Sequence, residues 1–275
     1  MMSHKKRIGI VGCGAIGFSL AEAIVKDFTE EVCLSALYDL DKQKARDLSR
    51  KMQKRGSLAV STLKDLIGNS DLVIEAASAK SSFDIAKTAL ILKKDVMIMS
   101  VGGIVAGFDN LQKLAIKNNC KIYIPSGAIS GIDALKAAHI GKIRKVTLTT
   151  TKNPLAFRGV RYIQEKGINL DKMNKETVLF FGKAAAAVKY FPQNINVAAV
   201  LSLAGIGVDK TLVRIIASPK VSKNIHEIRI ESNAAVITTR TENVLHPQNP
   251  KTSYLAVLSA VATLKQILGP VKIGT

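Results

Sequence analysis

The stretch "RIGIVGCGAIG", Arg7 to Gly17, constrains this chain more than any other. Apolar residues run from Ile8 to Val11, the length of a buried strand, and end at Gly12. Glycines at 12, 14 and 17 then give the spacing G-x-G-x-x-G, and a helix-like run from about Ala15 to Lys26 follows. Spacing alone is weak evidence; strand before and helix after give it meaning. Gly12 permits a tight turn, Gly14 lets a backbone approach a pyrophosphate, and Gly17 lets helix and strand pack closely. Ala15 and Ile16 open the helix, whose unpaired N–H groups face an anion.

The same rhythm continues. "EVCLSALYD", "DLVIEAAS", "DVMIMS" and "CKIYIPSG" read as strands, separated by helical stretches such as "DKQKARDLSRKMQKRG", "SFDIAKTALILKK" and "DNLQKLAIKNN". This alternation predicts a doubly wound parallel sheet, a Rossmann domain, with the carboxyl ends of its strands on one ligand-binding edge. After about Gly127 the rhythm changes. "KIRKVTLTTTK", "KTLVRIIAS", "HEIRIES" and "AAVITTRTE" read as strands, with helical stretches at "KETVLFFGKAAAAVKYF" and "INVAAVLSLAG". The expectation is a second α+β domain with a mostly antiparallel sheet. The closing "NPKTSYLAVLSAVATLKQIL" predicts a helix starting at Pro250, whose apolar face returns to the first domain. The expected division is 1–126 plus 250–275 for the dinucleotide-binding Rossmann domain and 127–249 for the α+β domain, the latter serving catalysis and dimerisation only by the family resemblance given below.

Asp39 ends the second strand, 22 residues after Gly17, where an acid binds a ribose 2′-hydroxyl. It favours NAD over NADP, because it repels a 2′-phosphate; Lys42 and Lys44 keep NADP open. "EAAS" (Glu75 to Ser78) and "SVGG" (Ser100 to Gly103) end later strands in small residues. Ala77 and Ser78 there leave room for the ribose and nicotinamide.

Composition narrows the class. Hydrophobic residues make up 47% of the 275, enough for folded cores, and there is no tryptophan, so those cores are aliphatic. The net charge of +19 invites a nucleic-acid reading, but the lysines are dispersed and not interleaved with aromatics. A basic field also attracts a dinucleotide and a small dicarboxylate. Cys13, Cys33 and Cys120 lack zinc or disulfide spacing. No leader and no span-length apolar run are apparent, so a soluble cytoplasmic protein is expected, with no metal.

Four histidines are present. In "VSKNIHEIRIES", His226 shares the apolar face of an alternating strand with Ile228 and Ile230, where Val or Ile is the ordinary choice. His4 lies in the N-terminal tail, His139 suits a helix C-terminus, and His246 is a supporting candidate. "IPSGAISGID" follows the last parallel strand; Ser126, Gly127 and Ala128 form its loop, and Ser130 with Asp133 has capping-box spacing. Lys251 and Thr252, at the expected helix start, are candidates to hold a carboxylate. Asn194 and Asn196 are candidates on one face, or helix caps.

"GCGAIG", "PSGAISG", "FPQNINVAAVLSLA", "NIHEI" and "HPQNPKTSYLA" occur in the order found in L-aspartate dehydrogenases, and the chain resembles that family over essentially its whole length. The resemblance implies a dimer with a Rossmann domain and a second α/β domain. It implies oxidation of L-aspartate by NAD or NADP to iminosuccinate, which water converts to oxaloacetate and ammonia. It also implies a link to NAD biosynthesis, since iminosuccinate is the precursor of quinolinate. The family's active-site histidine matches His226, and its further cofactor contacts match Ala128 and Asn196. The stretch from Phe157 to Asn174 is longer and more basic than the family leads one to expect.

Two competing readings share the first half. Homoserine dehydrogenases and dihydrodipicolinate reductases have similar "SG" loops, but the paired histidines of the latter are missing here. A non-catalytic dinucleotide-binding or nucleic-acid-binding protein is the alternative from another class; it predicts that His226 is dispensable.

Overall fold

The computed structural model describes residues 5–52, 56–191, 196–247 and 249–275. Proximity along the chain trace divides it into two compact units, 1–125 with 260–272 and 126–259 with 273–275.

The first unit follows the expected alternation. It contains β1 (Lys6–Val11), α1 (Ala15–Asp27), β2 (Val32–Tyr38), α2 (Lys42–Met52), α3 (Leu63–Gly68), β3 (Leu72–Glu75), α4 (Ser82–Ile91), β4 (Asp95–Ile98), α5 (Phe108–Asn118) and β5 (Ile122–Tyr123). The strands lie in the order β2-β1-β3-β4-β5, all parallel. The winding reverses between β1 and β3, which opens a crevice at their carboxyl ends. Ile8, Ile10, Leu72, Ile74 and Met97 are fully buried, as a sheet covered on both faces requires. Helix α3 was not evident in the sequence reading; Thr62 and Asp65 cap it reciprocally, at 3.1 and 3.2 Å.

The second unit contains α6 (Ile132–Ile140), β6 (Ile143–Lys152), α7 (Arg161–Glu165), β7 (Thr177–Lys183), α8 (Ala184–Tyr190), α9 (Asn196–Ala204), β8 (Leu212–Ala217), β9 (Asn224–Ser232), β10 (Val236–Asn243), β11 (Leu245–His246) and β12 (Asn249–Ser253). Its main sheet has the order β10-β9-β6-β8-β7. Three of its four pairings are antiparallel; β6 and β8 run parallel. Its inner face, with Val146, Leu148, Ile215, Ile228 and Ile230, packs on Leu135, Ala187 and Leu201. Helix α10 (Tyr254–Leu268) closes the described fold, and its residues Ala260 and Leu264 are buried in the first unit's core with Ile8, Ile10 and Leu20. From Ala260 on, the closing helix therefore returns to the first unit.

Three local expectations are corrected. "KETVLFF" is not helical: Thr177–Lys183 forms edge strand β7, because β-branched and aromatic residues gain more from pairing with β8 than from a helix. The last helix starts at Tyr254 rather than Pro250, because Asn249–Ser253 pairs with β11. The capping box at Ser130 and Asp133 does not form. Gly131, at φ +82°, caps α6, and the Ser130 hydroxyl is hydrogen-bonded to Thr241 Oγ1 at 3.1 Å instead.

The Phe157–Asn174 stretch is largely anchored at its start. Phe157 and Ile163 are buried, and Tyr162 lies 5.2 Å from Phe191 between ring centroids. Its charged residues, including the Arg161–Glu165 pair, remain at the surface.

Candidate functional site

In the first unit the glycine turn has the geometry its spacing predicts. Gly12 has φ +97°, and a Cβ there would meet the Ala76 carbonyl oxygen at 2.4 Å. A Cβ at Gly17 would meet the Gly12 carbonyl oxygen at 1.9 Å. So both positions exclude side chains, and the β1 turn, α1 and the β3 loop are drawn together. A Cβ at Gly14, by contrast, would meet nothing within 4 Å. Gly14 is also the exposed N-cap of α1 and supplies no side-chain cap to the helix's first-turn N–H groups at Ala15 and Ile16. This arrangement fits a pyrophosphate.

Asp39 follows β2 and is half-buried. One carboxylate oxygen accepts the Cys13 N–H at 2.8 Å and the other the Asp41 N–H at 2.9 Å. The acid therefore braces the glycine turn, and a carboxylate keeps lone pairs for a ribose hydroxyl as well. Lys44 Nζ lies 3.9 Å from Asp41 Oδ2, beside this position. Burial, with the negative charge of Asp39 next, pushes the Cys13 thiol up to about 12, so it stays protonated and inert.

Ala77 and Ser78 are exposed just beyond β3. What holds their loop is Glu75, a residue whose role the sequence reading missed. Glu75 is fully buried at the end of β3. Its Oε1 accepts the Ala77 N–H at 2.8 Å and its Oε2 the Ser100 N–H at 2.9 Å. One side chain thus splices the loops after β3 and β4. Burial raises its proton affinity, while the backbone donors at Ser100 and Ala77 oppose that.

In the second unit, register assembles a different set. His226 pairs with Thr150 on β6 and with Thr241 on β10. It is 3% exposed, and its Nδ1 is hydrogen-bonded to Thr150 Oγ1 at 3.0 Å. This bond orients the ring and leaves Nε2 as the other functional nitrogen. Burial, and then the positive charge of Lys152, lower the imidazole to about 3, so it is neutral in this structure.

The loop singled out after β5 lies against the same sheet. Ala128 is buried, and its carbonyl accepts from Asn243 Nδ2 at 3.0 Å. Asn243 Nδ2 also reaches the Asn224 carbonyl at 3.4 Å, two residues before His226. Its Oδ1 is buried with no hydrogen-bond partner among the described residues. Gly127 has φ +71°, and its N–H donates to Ser259 Oγ at 3.0 Å; Ser126 beside it is half-buried. Thr150, Asn243 and Lys152 were missed, although the alternation in "VTLTTTK" already places Thr150 and Lys152 on the buried face with Val146 and Leu148.

The other candidates fare differently. Asn196 is exposed as the first residue of α9; Asn194 lies outside the described residues. Thr252 and Lys251 lie in β12, not at a helix start, and the first N–H of α10, at Tyr254, already donates to the Val244 carbonyl at 2.9 Å. The helix-end argument for a carboxylate there is removed. His246 is buried edge-on to Tyr254, with ring centroids 5.5 Å apart, and His139 is exposed on α6. Among the described residues no cluster suits a metal ion, and no helix is long and apolar enough to cross a membrane.

Known proteins match both units. Residues 133–267 match the family model "Aspartate dehydrogenase, C-terminal", and residues 12–125 match "Homoserine dehydrogenase, NAD binding domain". The chain is 48% identical to an L-aspartate dehydrogenase of Methanosarcina barkeri, covering 98% of this chain and 99% of the relative. It is 39% identical to that of Nitrosopumilus maritimus, over 98% and 100%. The crystal structure of aspartate dehydrogenase from Thermotoga maritima superposes with a TM-score of 0.70 at 24% identity, over 98% of this chain and all of that one. A homoserine dehydrogenase from Thiobacillus denitrificans gives 0.61 at 12%, over 96% and 74%.

Proposed function

This chain belongs to the L-aspartate dehydrogenase family, and on that premise we propose that it oxidises L-aspartate to iminosuccinate with NAD or NADP. The observation that carries the reading is His226: a buried, neutral imidazole fixed by Thr150 on the inner face of the second sheet.

When bound, the dinucleotide accepts the hydride from the substrate's α-carbon. This chain's residues do the rest. The α1 N-terminus at Gly14, Ala15 and Ile16 holds the pyrophosphate, and Asp39 the adenosine ribose, which favours NAD. Ala128 and Asn196 carry over from the family as further cofactor contacts. Ser126, Gly127, Lys251 and Thr252 are retained as substrate contacts, Lys251 and Thr252 now without the helix-end argument.

A substrate ammonium must lose a proton before hydride can leave. A neutral imidazole accepts it, and an anionic substrate alongside raises the ring's basicity. The same ring then manages the proton as water adds to the imine and ammonia departs.

We also propose a homodimer in the cytoplasm. The open face of the second sheet carries Phe181, 56% exposed under Arg214 at 5.2 Å, and Val178, 54% exposed, which a second copy would cover. The cysteines among the described residues are free, which suits a reducing compartment. Supply of iminosuccinate to quinolinate synthesis completes the proposal. The test is NADH consumption with oxaloacetate and ammonia, with 2-oxoglutarate and ammonia as control. Oxidation confined to oxaloacetate is expected; equal rates, or none despite NADH binding, contradict the reading.

A further inference from the structure

Lys152 ends β6 on the same face as Val146, Leu148 and Thr150, a face that is otherwise apolar or hydroxylic. Lysine heads ordinarily snorkel to water, yet this residue is 8% exposed. Its neighbourhood follows from register. His226 sits directly opposite Thr150, so Lys152, two residues further along β6, is its diagonal neighbour. Diagonal positions lie about 7–8 Å apart, within reach of a long side chain. After burial, the positive charge of this ammonium is what lowers the proton affinity of His226. Burial lowers Lys152 itself to about 8, so near neutral pH it is still mainly a cation.

A cation set beside an imidazole on one buried sheet face suits an anionic ligand. The substrate proposed above is a dicarboxylate, and a substrate touching His226 lies within reach of Lys152. We propose that Lys152 receives one of the substrate's carboxylates beside His226. The inference rests on the aspartate dehydrogenase reading and adds a substrate-binding residue that neither the glycine loop nor the histidine motif identifies.

The experiment compares wild type with Lys152→Met and Lys152→Gln in the NADH-dependent amination of oxaloacetate. The expected result is a rise of about 100-fold in the oxaloacetate KM, the loss typical of truncating one partner of a buried charge pair. The NADH KM stays within about twofold, because binding of the cofactor does not depend on this ammonium. A second readout uses succinate, a dicarboxylate that cannot react. Succinate raises the melting temperature of the NADH-bound wild type and not that of either variant.

An unchanged oxaloacetate KM, or a loss confined to kcat, overturns the proposal. So does failure of both variants to fold, which makes Lys152 a structural residue. The two readings fail separately. Should wild type not turn over oxaloacetate and ammonia, the proposed function falls, while the succinate shift still decides whether Lys152 anchors a carboxylate.

Discussion

The carboxyl edge of the first sheet and the inner face of the second are built on opposite principles. At the first, backbone does the work. Gly12 and Gly17 exclude side chains, Gly14 leaves space, and the acids Asp39 and Glu75 act by holding backbone N–H groups. At the second, side chains do the work. His226, Thr150, Lys152 and Asn243 come from three strands and share one sheet only because β6, β9 and β10 pair in one register. A backbone site tolerates varied chemistry but not added volume. A side-chain site tolerates volume changes better than the loss of one polar group.

This contrast predicts separable failures. The largest is expected at His226. His226→Ala should lower kcat about 10²–10⁴-fold, the usual share of general acid–base catalysis, with NADH affinity unchanged in a fluorescence titration. Loss of NADH binding there would break the separation. Next is Gly17→Ala. The new methyl would meet the Gly12 carbonyl oxygen at 1.9 Å, so α1 must move off the turn. A loss of about 1–3 kcal/mol in a denaturant melt is expected, with NADH affinity falling and the oxaloacetate KM of the remaining active fraction unchanged.

Glu75→Ala leaves the Ala77 and Ser100 N–H groups without their acceptor. About 1–3 kcal/mol of stability and a matching weakening of NADH are expected, and Glu75→Gln should recover part of both. Asp39→Asn is milder. It weakens NADH about tenfold, roughly one lost charge-assisted hydrogen bond, and narrows the preference over NADPH, which competition between the two cofactors measures.

The remaining prediction concerns pH dependence. His226 is lowered from 6.5 to about 3 in the folded chain. Between those values the unfolded state binds the additional proton, so stability is full above 6.5 and declines as pH falls toward 3. Urea melts should show a shallower acid decline in His226→Gln than in wild type; an identical slope would contradict a buried neutral ring.

The same contrast explains what was legible in the sequence. The glycine turn announces itself because its requirements are local: a strand, a φ that glycine alone adopts easily, and a helix within a dozen residues. His226 was legible because alternation in "HEIRIES" places it among isoleucines. Lys152 and Thr150 obey the same alternation in "VTLTTTK", but their importance depends on which strand pairs with which, and only the β6–β9 register supplies that. Asn243 likewise matters only once β10 meets the Ala128 loop. The errors were of the same origin. "KETVLFF" and "NPKTS" carry local signals, a helical run and a proline cap, and both are overridden by strand pairing, the first with β8 and the second with the neighbouring β11. Glu75 was visible in "EAAS" but hidden behind its small neighbours, because its function is to bind backbone, which leaves no side-chain pattern.

The central claim is that hydride goes to the α-carbon of an imine, and it is tested by following the label. The purified protein is incubated with oxaloacetate, ammonia and NADH carrying deuterium at the transferable C4 position, and the products are read by NMR and mass spectrometry. L-aspartate deuterated at Cα, formed only when ammonia is present, is expected. Deuterium in malate, or no transfer to any four-carbon acid while NADH is bound, would contradict it.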